Sequence, residues 1–226
     1  MNKNLILPFF VLFFFLISCH KEIKAEKGGI DLISNVYFDA SKGLNKMQTF
    51  HVSKINYQND SIIELVPDLE FPEMTMTTYF IKDSVFYALE NDNASAVLSE
   101  IQKKQKPISV YSKTSGAVFT KDPILNYRNR RKLSDTVLFK KNYKRFEINS
   151  PWNYTRYYIY PTDTILPYSF YKEVDENYHG RIERIDSYDK EKDIFVSMQL
   201  IPRKNWDSEA EELFRFNRFI ESRKKK

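Results

Sequence analysis

Six runs rich in β-branched and aromatic residues follow one another closely in the second half of the chain, and this succession constrains the fold more than any other feature. Only short polar or proline-bearing segments separate them, too short for the crossover helix that a parallel connection needs. The sequence therefore predicts strands that pair mainly as antiparallel neighbours. The runs cover residues 137–139, 143–148, 152–160, 166–174, 181–188 and 194–201.

Length and composition indicate one globular domain built around a sheet. The chain has 226 residues, which is enough for one hydrophobic core and short for two. Charged residues make up 29% of it and are spread along the chain, as in soluble globular proteins. The 18 Phe, 15 Tyr and only 5 Gly favour strands that pack aromatic rings across a pleated face. We therefore expect a single domain over residues 30–226.

The spacing of apolar residues predicts the remaining elements. A period of two predicts strands at 50–57 and 62–66 and a hairpin over 74–89. A period of three to four predicts helices, and these cover 30–44, 93–104 and 207–226. The expected fold class is thus α+β, an antiparallel sheet with an N-terminal and a C-terminal helix packed on it. Residues 113–132 show no clear pattern.

The first eighteen residues have the layout of a secretory signal peptide. A short polar start carries Lys3, an apolar run extends from Leu5 to Ile17, and Ser18 follows as a small residue. As a helix this run would be about 20 Å long, whereas the hydrocarbon core of a bilayer is about 30 Å thick. A cleaved leader over 1–18 is therefore a better interpretation than a permanent membrane span.

Leu16-Ile17-Ser18-Cys19 resembles the lipobox of bacterial lipoproteins. The resemblance implies cleavage before Cys19, lipid attached to its thiol, and retention on a membrane by several acyl chains. Cys19 is the only cysteine, so an exported form could not use it in an internal disulfide. The alternative is a plain signal peptide with an incidental cysteine near its end.

The residues after Cys19 predict a tether and a location. Residues 19–29 are polar and end in Gly28 and Gly29, which indicates a flexible link between lipid and domain. In lipoproteins of bacteria with two membranes, an aspartate directly after the cysteine tends to retain the protein at the inner membrane. His20 stands there instead. We therefore expect an outer-membrane anchor if the host has that membrane, with periplasmic and surface orientations both open.

A second resemblance concerns the domain. An N-terminal helix followed by Met47-Gln48-Thr49-Phe50 is similar to the opening of the LolA-like carriers and lipoproteins. Residues 158–167, 184–189 and 200–202 are similar in pattern to the paired strands later in those proteins. The resemblance implies a sheet curved into an open half-barrel, and an acyl chain or hydrophobic peptide held between sheet and helices. A lipid anchor would distinguish this chain from the soluble carrier.

One strand carries the candidate ligand-binding residues. Trp152, Tyr154, Tyr158 and Tyr160 alternate along the run 152–160, with Arg156 among them, so we expect them to share one face. Such a row of rings could stack on a sugar or nucleic acid or form the rim of a lipid site. The alternative is ordinary packing across the sheet.

The sequence gives little support for catalysis or for a cofactor. HExxH, CxxC, glycine-rich phosphate-loop and GxSxG motifs are all absent, so no metal and no cofactor is predicted. Acidic residues at 163, 183, 186 and 189 could serve a glycosidase only if they met in one cleft, and such residues more often serve turns.

The charge balance gives equally little support for nucleic-acid binding. The net charge is +5, or +4 once Lys3 is lost with the leader, which is small for a nucleic-acid groove. The densest basic cluster, 127–132, fits a solvated loop better than a contact with anionic head groups or an acidic partner.

These observations leave three functional hypotheses. The leading one is a non-enzymatic, membrane-anchored lipoprotein that binds an apolar ligand or another lipoprotein in the cell envelope. The second is a module that docks on an envelope protein through a strand edge or an aromatic surface. The third is an enzyme that acts on sugars or peptidoglycan.

Overall fold

A computed structural model describes residues 22–89 and 96–224. The predicted leader, Cys19 and His20 lie outside these described residues. An eleven-stranded antiparallel sheet dominates the described part, and a separate pair of two-residue strands runs parallel. The strands are β1 (Ile23–Lys24), β2 (Lys27–Phe38), β3 (Met47–Gln58), β4 (Ser61–Pro67), β5 (Thr75–Lys82), β6 (Val85–Leu89), β7 (Ile108–Ser109), β8 (Arg131–Leu138), β9 (Lys141–Asn149), β10 (Asn153–Pro161), β11 (Thr164–Ile165), β12 (Gly180–Asp189) and β13 (Ile194–Arg203).

The sheet is open and mostly follows chain order. Its strands run β7-β6-β5-β4-β3-β2-β13-β12-β10-β9-β8, so β7 and β8 are unjoined edges. The exception is at the centre, where β2 pairs with β13 over ten residues and joins the two ends of the domain. Every one of these neighbouring pairs is antiparallel, as the short connections predict. The predicted class, a curved antiparallel α+β fold, is confirmed.

Three α-helices accompany the sheet in the described residues: α1 (Leu98–Lys104), α2 (Lys172–Tyr178) and α3 (Ser208–Lys224). The predicted C-terminal helix is confirmed as α3, which has acidic residues in its first turn and Arg223 and Lys224 in its last. Residues 98–104 of the predicted helix 93–104 are helical, and residues 93–95 lie outside the described part.

The predicted N-terminal helix over 30–44 is wrong, because this segment forms β2 and a short 3-10 turn at Ala40–Lys42. Ile30 and Leu32 are almost fully buried, and β2 is hydrogen-bonded to β3 on one side and β13 on the other. Apolar residues occur on both faces of β2, Ile30, Leu32 and Val36 on one and Ile33 and Tyr37 on the other, and together they mimic helical spacing. Part of the predicted tether over 19–29 is also structured, because Ile23–Lys24 and residues 27–29 belong to strands.

The two faces of the sheet are covered differently. On one face, here called the helix face, Trp206, Leu213 and Phe214 pack on buried residues of β4, β5 and β6. On the opposite face, the loop face, two irregular segments cover the sheet. Residues 110–127 and 166–171, followed by α2, form this cover. The predicted strand over 166–174 is therefore wrong. The neighbouring strand is Thr164–Ile165, which ends before residue 166, and α2 begins at Lys172.

The candidate ligand groove

An apolar groove of about 270 Å³ lies on the loop face, over the centre of the sheet. Its floor consists of side chains from four strands, β2, β3, β12 and β13: Leu32, Val52, Ile185, Val196 and Met198. Residues of the two covering segments form its walls: Gly116, Val118 and Thr120 on one side, and Tyr168, Phe170 and Tyr171 on the other. The polar side-chain atoms of the lining are the hydroxyls of Thr120, Ser187 and the two tyrosines. The rest of the lining is apolar, so the groove favours an apolar occupant.

A buried carboxylate holds the first wall in place. Glu64 of β4 is fully buried and accepts hydrogen bonds from the Ala117 backbone N–H at 2.5 Å and the Ser53 hydroxyl at 2.8 Å. Lys113 Nζ lies 2.8 Å from Glu64 Oε2, and its side chain is 1% exposed. The Lys113 ammonium also donates to the Ser115 carbonyl. Glu64 therefore fixes residues 113–117 against the sheet.

Gly116 makes this close approach possible. Its φ is +73°, a left-handed conformation that residues with a Cβ adopt at a cost. A Cβ at this position would overlap Glu64 Oε1 and lie 2.7 Å from Val66 Cγ2. The wall can thus reach the buried carboxylate only with glycine at 116.

A second carboxylate holds the other wall. Asp175 of α2 accepts a hydrogen bond from the Ile182 backbone N–H at 3.0 Å and from the Ser169 hydroxyl at 2.5 Å. These bonds tie α2 and the wall segment to β12. The Tyr168 hydroxyl then donates to the Val118 carbonyl at 3.1 Å, which joins the two walls to each other.

The two anchoring sites differ in electrostatics. Burial lowers the pKa of the Lys113 ammonium, and the Glu64 carboxylate beside it opposes that effect. Burial raises the pKa of Asp175 to about 6, against the hydrogen bonds from Ser169 and Ile182 that lower it. One wall thus depends on an ion pair and the other on a carboxyl group that titrates near neutral pH.

The groove floor continues beyond its walls along β2 and β13. Val36 pairs with Val196 and Phe38 with Ile194, so these apolar side chains extend the same face. Phe38 is 41% exposed. From Leu32 to Phe38 the strip measures roughly 20 Å at the rise of a strand. One leaflet of a bilayer, half of about 30 Å, is shorter than this strip.

Three of the four predicted aromatic residues lie on the helix face. Trp152 precedes β10 and is 62% exposed, whereas Tyr154, Tyr158 and Tyr160 alternate along β10 with the loop-face residues Tyr157 and Ile159. Tyr154 donates to Glu147 and accepts from Arg156. Tyr158 and Tyr160 both pack near the ring of Tyr143. The three tyrosines share a face, and Trp152 is outside the strand.

The acidic residues considered for catalysis do not converge on the groove. Glu183 accepts from Lys141, Tyr143 and Arg181, and Asp186 accepts from Arg184. Asp189 accepts from two turn N–H groups, and Asp163 lines a different cavity beside α2. In residues 22–89 and 96–224, no three His, Cys, Asp or Glu side chains are placed to hold a metal ion. No helix within those ranges has the length and apolar content to cross a membrane.

Sequence reasoning missed the groove. One wall comes from a segment without periodicity and the other from the predicted strand 166–174, and the floor joins β2 to strands more than 150 positions later. A usable signal was the alternation of Val196, Met198 and Leu200, which marks one apolar face of β13.

Comparison with known proteins adds a weak structural likeness. No protein-family model and no curated protein sequence matches the chain. A crystal structure from Vibrio parahaemolyticus, provisionally described as an outer membrane lipoprotein-sorting protein domain, is similar in outline. It shares 11% identity and a TM-score of 0.29, over 89% of this chain and 93% of that one.

Proposed function

We propose that this protein is an exported lipoprotein, cleaved before Cys19 and lipid-anchored in the cell envelope, that holds an acyl chain or an apolar lipoprotein segment in its groove. The observation that carries the proposal is the groove itself, an apolar channel with walls bonded to each other through Tyr168 and Val118. Phe38, further along the same face of β2, is 41% exposed, so an acyl chain can extend along this strand beyond the groove. The lining offers contacts for binding and no nucleophile–base pair.

A fluorescent palmitate analogue tests the groove. We expect the mature, lipidated protein in neutral-lipid nanodiscs to bind it, and Val196→Trp to weaken binding by about tenfold because the indole fills the floor. Val137→Trp is the matched control, since Val137 is 64% exposed on edge strand β8. Equal binding by both variants, with melting temperatures unchanged, would exclude the groove as the site.

The anchor needs a separate test. Cells fed an alkyne-tagged palmitate should label the wild-type protein, and Cys19→Ser should remove the label and release the protein from membranes. If the serine variant stays membrane-bound and the wild type remains unlabelled, the protein is not a lipoprotein of this type. That result would leave ligand binding in the groove to be judged by its own experiment.

A further inference from the structure

The helix face carries a second surface that the groove does not use. The packed core beneath α3 involves β4, β5 and β6 and does not include the face of β2, β13, β12 and β10. Strand register places four directly paired side chains in a line across those strands, and all are partly exposed. We call this line the aromatic row: Tyr154, Tyr188, Phe195 and Tyr37.

Strand register aligns the four rings of the aromatic row across neighbouring strands. Paired residues on neighbouring strands project from the same face, and strands lie about 4.8 Å apart, so four rings span roughly 14 Å. The Tyr37 and Phe195 centroids are 5.6 Å apart. The hydroxyl of Tyr188 donates to Asp193, which fixes that ring at the strand end. The strip is rigid because every member belongs to a strand.

A row of charged residues lies two positions further along on β10 and β12, roughly 7 Å away, and continues onto β9 and β8. Arg131, Glu147, Arg156 and Asp186 are successive register partners on β8, β9, β10 and β12. Arg156 lies between Tyr154 and Glu147, and its guanidinium carbon is 5.4 Å from the Tyr154 ring centroid. Aromatic rings and arginines are therefore neighbours along this face.

Burial separates the two signs of charge. The carboxylate side chains of Glu147 and Asp186 are 4% and 10% exposed, while those of Arg131, Arg156 and Arg184 are 75%, 33% and 24% exposed. The anions lie beneath and hold the guanidinium groups in place. Solvent therefore meets arginine nitrogens beside a strip of rings, so the surface is complementary to an anion that also has an apolar face.

We propose that this surface binds an anionic glycan, a chain of sugars carrying carboxylate or phosphate groups. One face of a pyranose ring presents C–H bonds, which pack on aromatic rings, while its rim carries hydroxyl and acidic groups. Guanidinium groups bind carboxylate and phosphate in a bidentate manner. A chain that crosses the strands from the aromatic row towards β8 brings its acidic substituents to Arg156 and Arg131, with Arg184 on β12 beside its path. The occupant is distinct from the apolar ligand of the groove.

Three probes separate a glycan from simple charge attraction: oligogalacturonate, its methyl ester and inorganic polyphosphate. The full-length protein in neutral-lipid nanodiscs should bind oligogalacturonate, with affinity falling as salt rises. The methyl ester lacks the charge and polyphosphate lacks the sugar face, so each should bind at least about tenfold more weakly. Equal binding of polyphosphate would show general anion attraction, and no binding of oligogalacturonate would likewise overturn the proposal.

Matched variants locate the site. Phe195→Ala and Arg131→Gln should each weaken oligogalacturonate binding by about fivefold or more. Phe219→Ala and Arg215→Gln remove a more exposed ring and a similarly exposed charge from α3 and should leave binding unchanged. Arg131 is 75% exposed, so its variant remains informative if Phe195→Ala fails to fold. Wild-type affinity in a folded Arg131→Gln variant would refute the assignment.

Discussion

The two walls of the groove are each held by a buried carboxylate, and the two differ in the partners of that group. Glu64 is paired with the Lys113 ammonium and is fully buried, so the charge of the acid is balanced within the fold. Asp175 has a hydroxyl and a backbone N–H as its hydrogen-bond partners. The first anchor is an ion pair, whereas the second is stabilised by taking up a proton.

This difference explains how the groove can be rigid on one side and pH-sensitive on the other. Removal of one partner of a buried ion pair costs the protein several kcal/mol of stability, because the remaining charge is left without compensation. A carboxyl group with a raised pKa instead changes stability gradually as pH crosses its titration range. The walls are bonded to each other through Tyr168, so each anchor influences the shape of the whole groove.

The largest effect is expected from Lys113→Met. Glu64 would then lie in the core without its cation, and we expect the free energy of unfolding at pH 7 to fall by roughly 3–5 kcal/mol. Chemical denaturation of the full chain measures this loss. Glu64→Gln combined with Lys113→Met keeps an acceptor for Ala117 and removes the stranded charge, so it should recover part of the stability. A double variant no more stable than the single one would contradict an ionic anchor.

Gly116→Ala tests the same wall through backbone geometry. The left-handed φ and the overlap with Glu64 should together cost roughly 2–3 kcal/mol of stability. The control is Gly116→Ala in a Glu64→Ala/Lys113→Met background, where the overlapping carboxylate is absent and the positive φ remains. Thermal melting of the two variants distinguishes crowding at Glu64 from the general cost of a positive φ. Similar losses in both would mean that the carboxylate contact is unimportant.

The sequence predicted the sheet better than it predicted these anchors. The hairpin over 74–89 is confirmed as β5 and β6, with Asp83 and Ser84 at positive φ as a tight two-residue turn requires. The strands after residue 135 are confirmed except 166–174. Local alternation was sufficient here, because each of these strands pairs with a near neighbour in sequence.

The failures have a common physical cause, which is that distant contacts outweigh local pattern. Ile30 and Leu32 were placed on a helix, yet pairing with β3 and β13 makes them central strand residues. Residues 172–174 belong to the predicted strand 166–174, yet they begin helix α2, with Val174 buried and Asp175 bonded to β12. The groove depends on such contacts throughout, so its position could not be read from spacing alone.

Asp175→Asn gives the smallest effect and the sharpest distinction between the walls. The folded pKa of about 6 exceeds the ordinary value of 3.8, so between these pH values the folded state binds more protons than the unfolded state. The stabilisation that protonated Asp175 contributes is therefore fully present below about pH 4 and is lost as the pH rises through 6. Asparagine stays neutral and can still accept from Ile182.

Between pH 4.5 and 7, we expect the wild type to lose roughly 1–2 kcal/mol of stability relative to Asp175→Asn, with partial solvent exposure of the carboxyl group taken into account. Melting temperatures of the two proteins, measured across this pH range, report the loss. Parallel melting curves would show that Asp175 is charged in the fold across this range, and the two walls would then be alike.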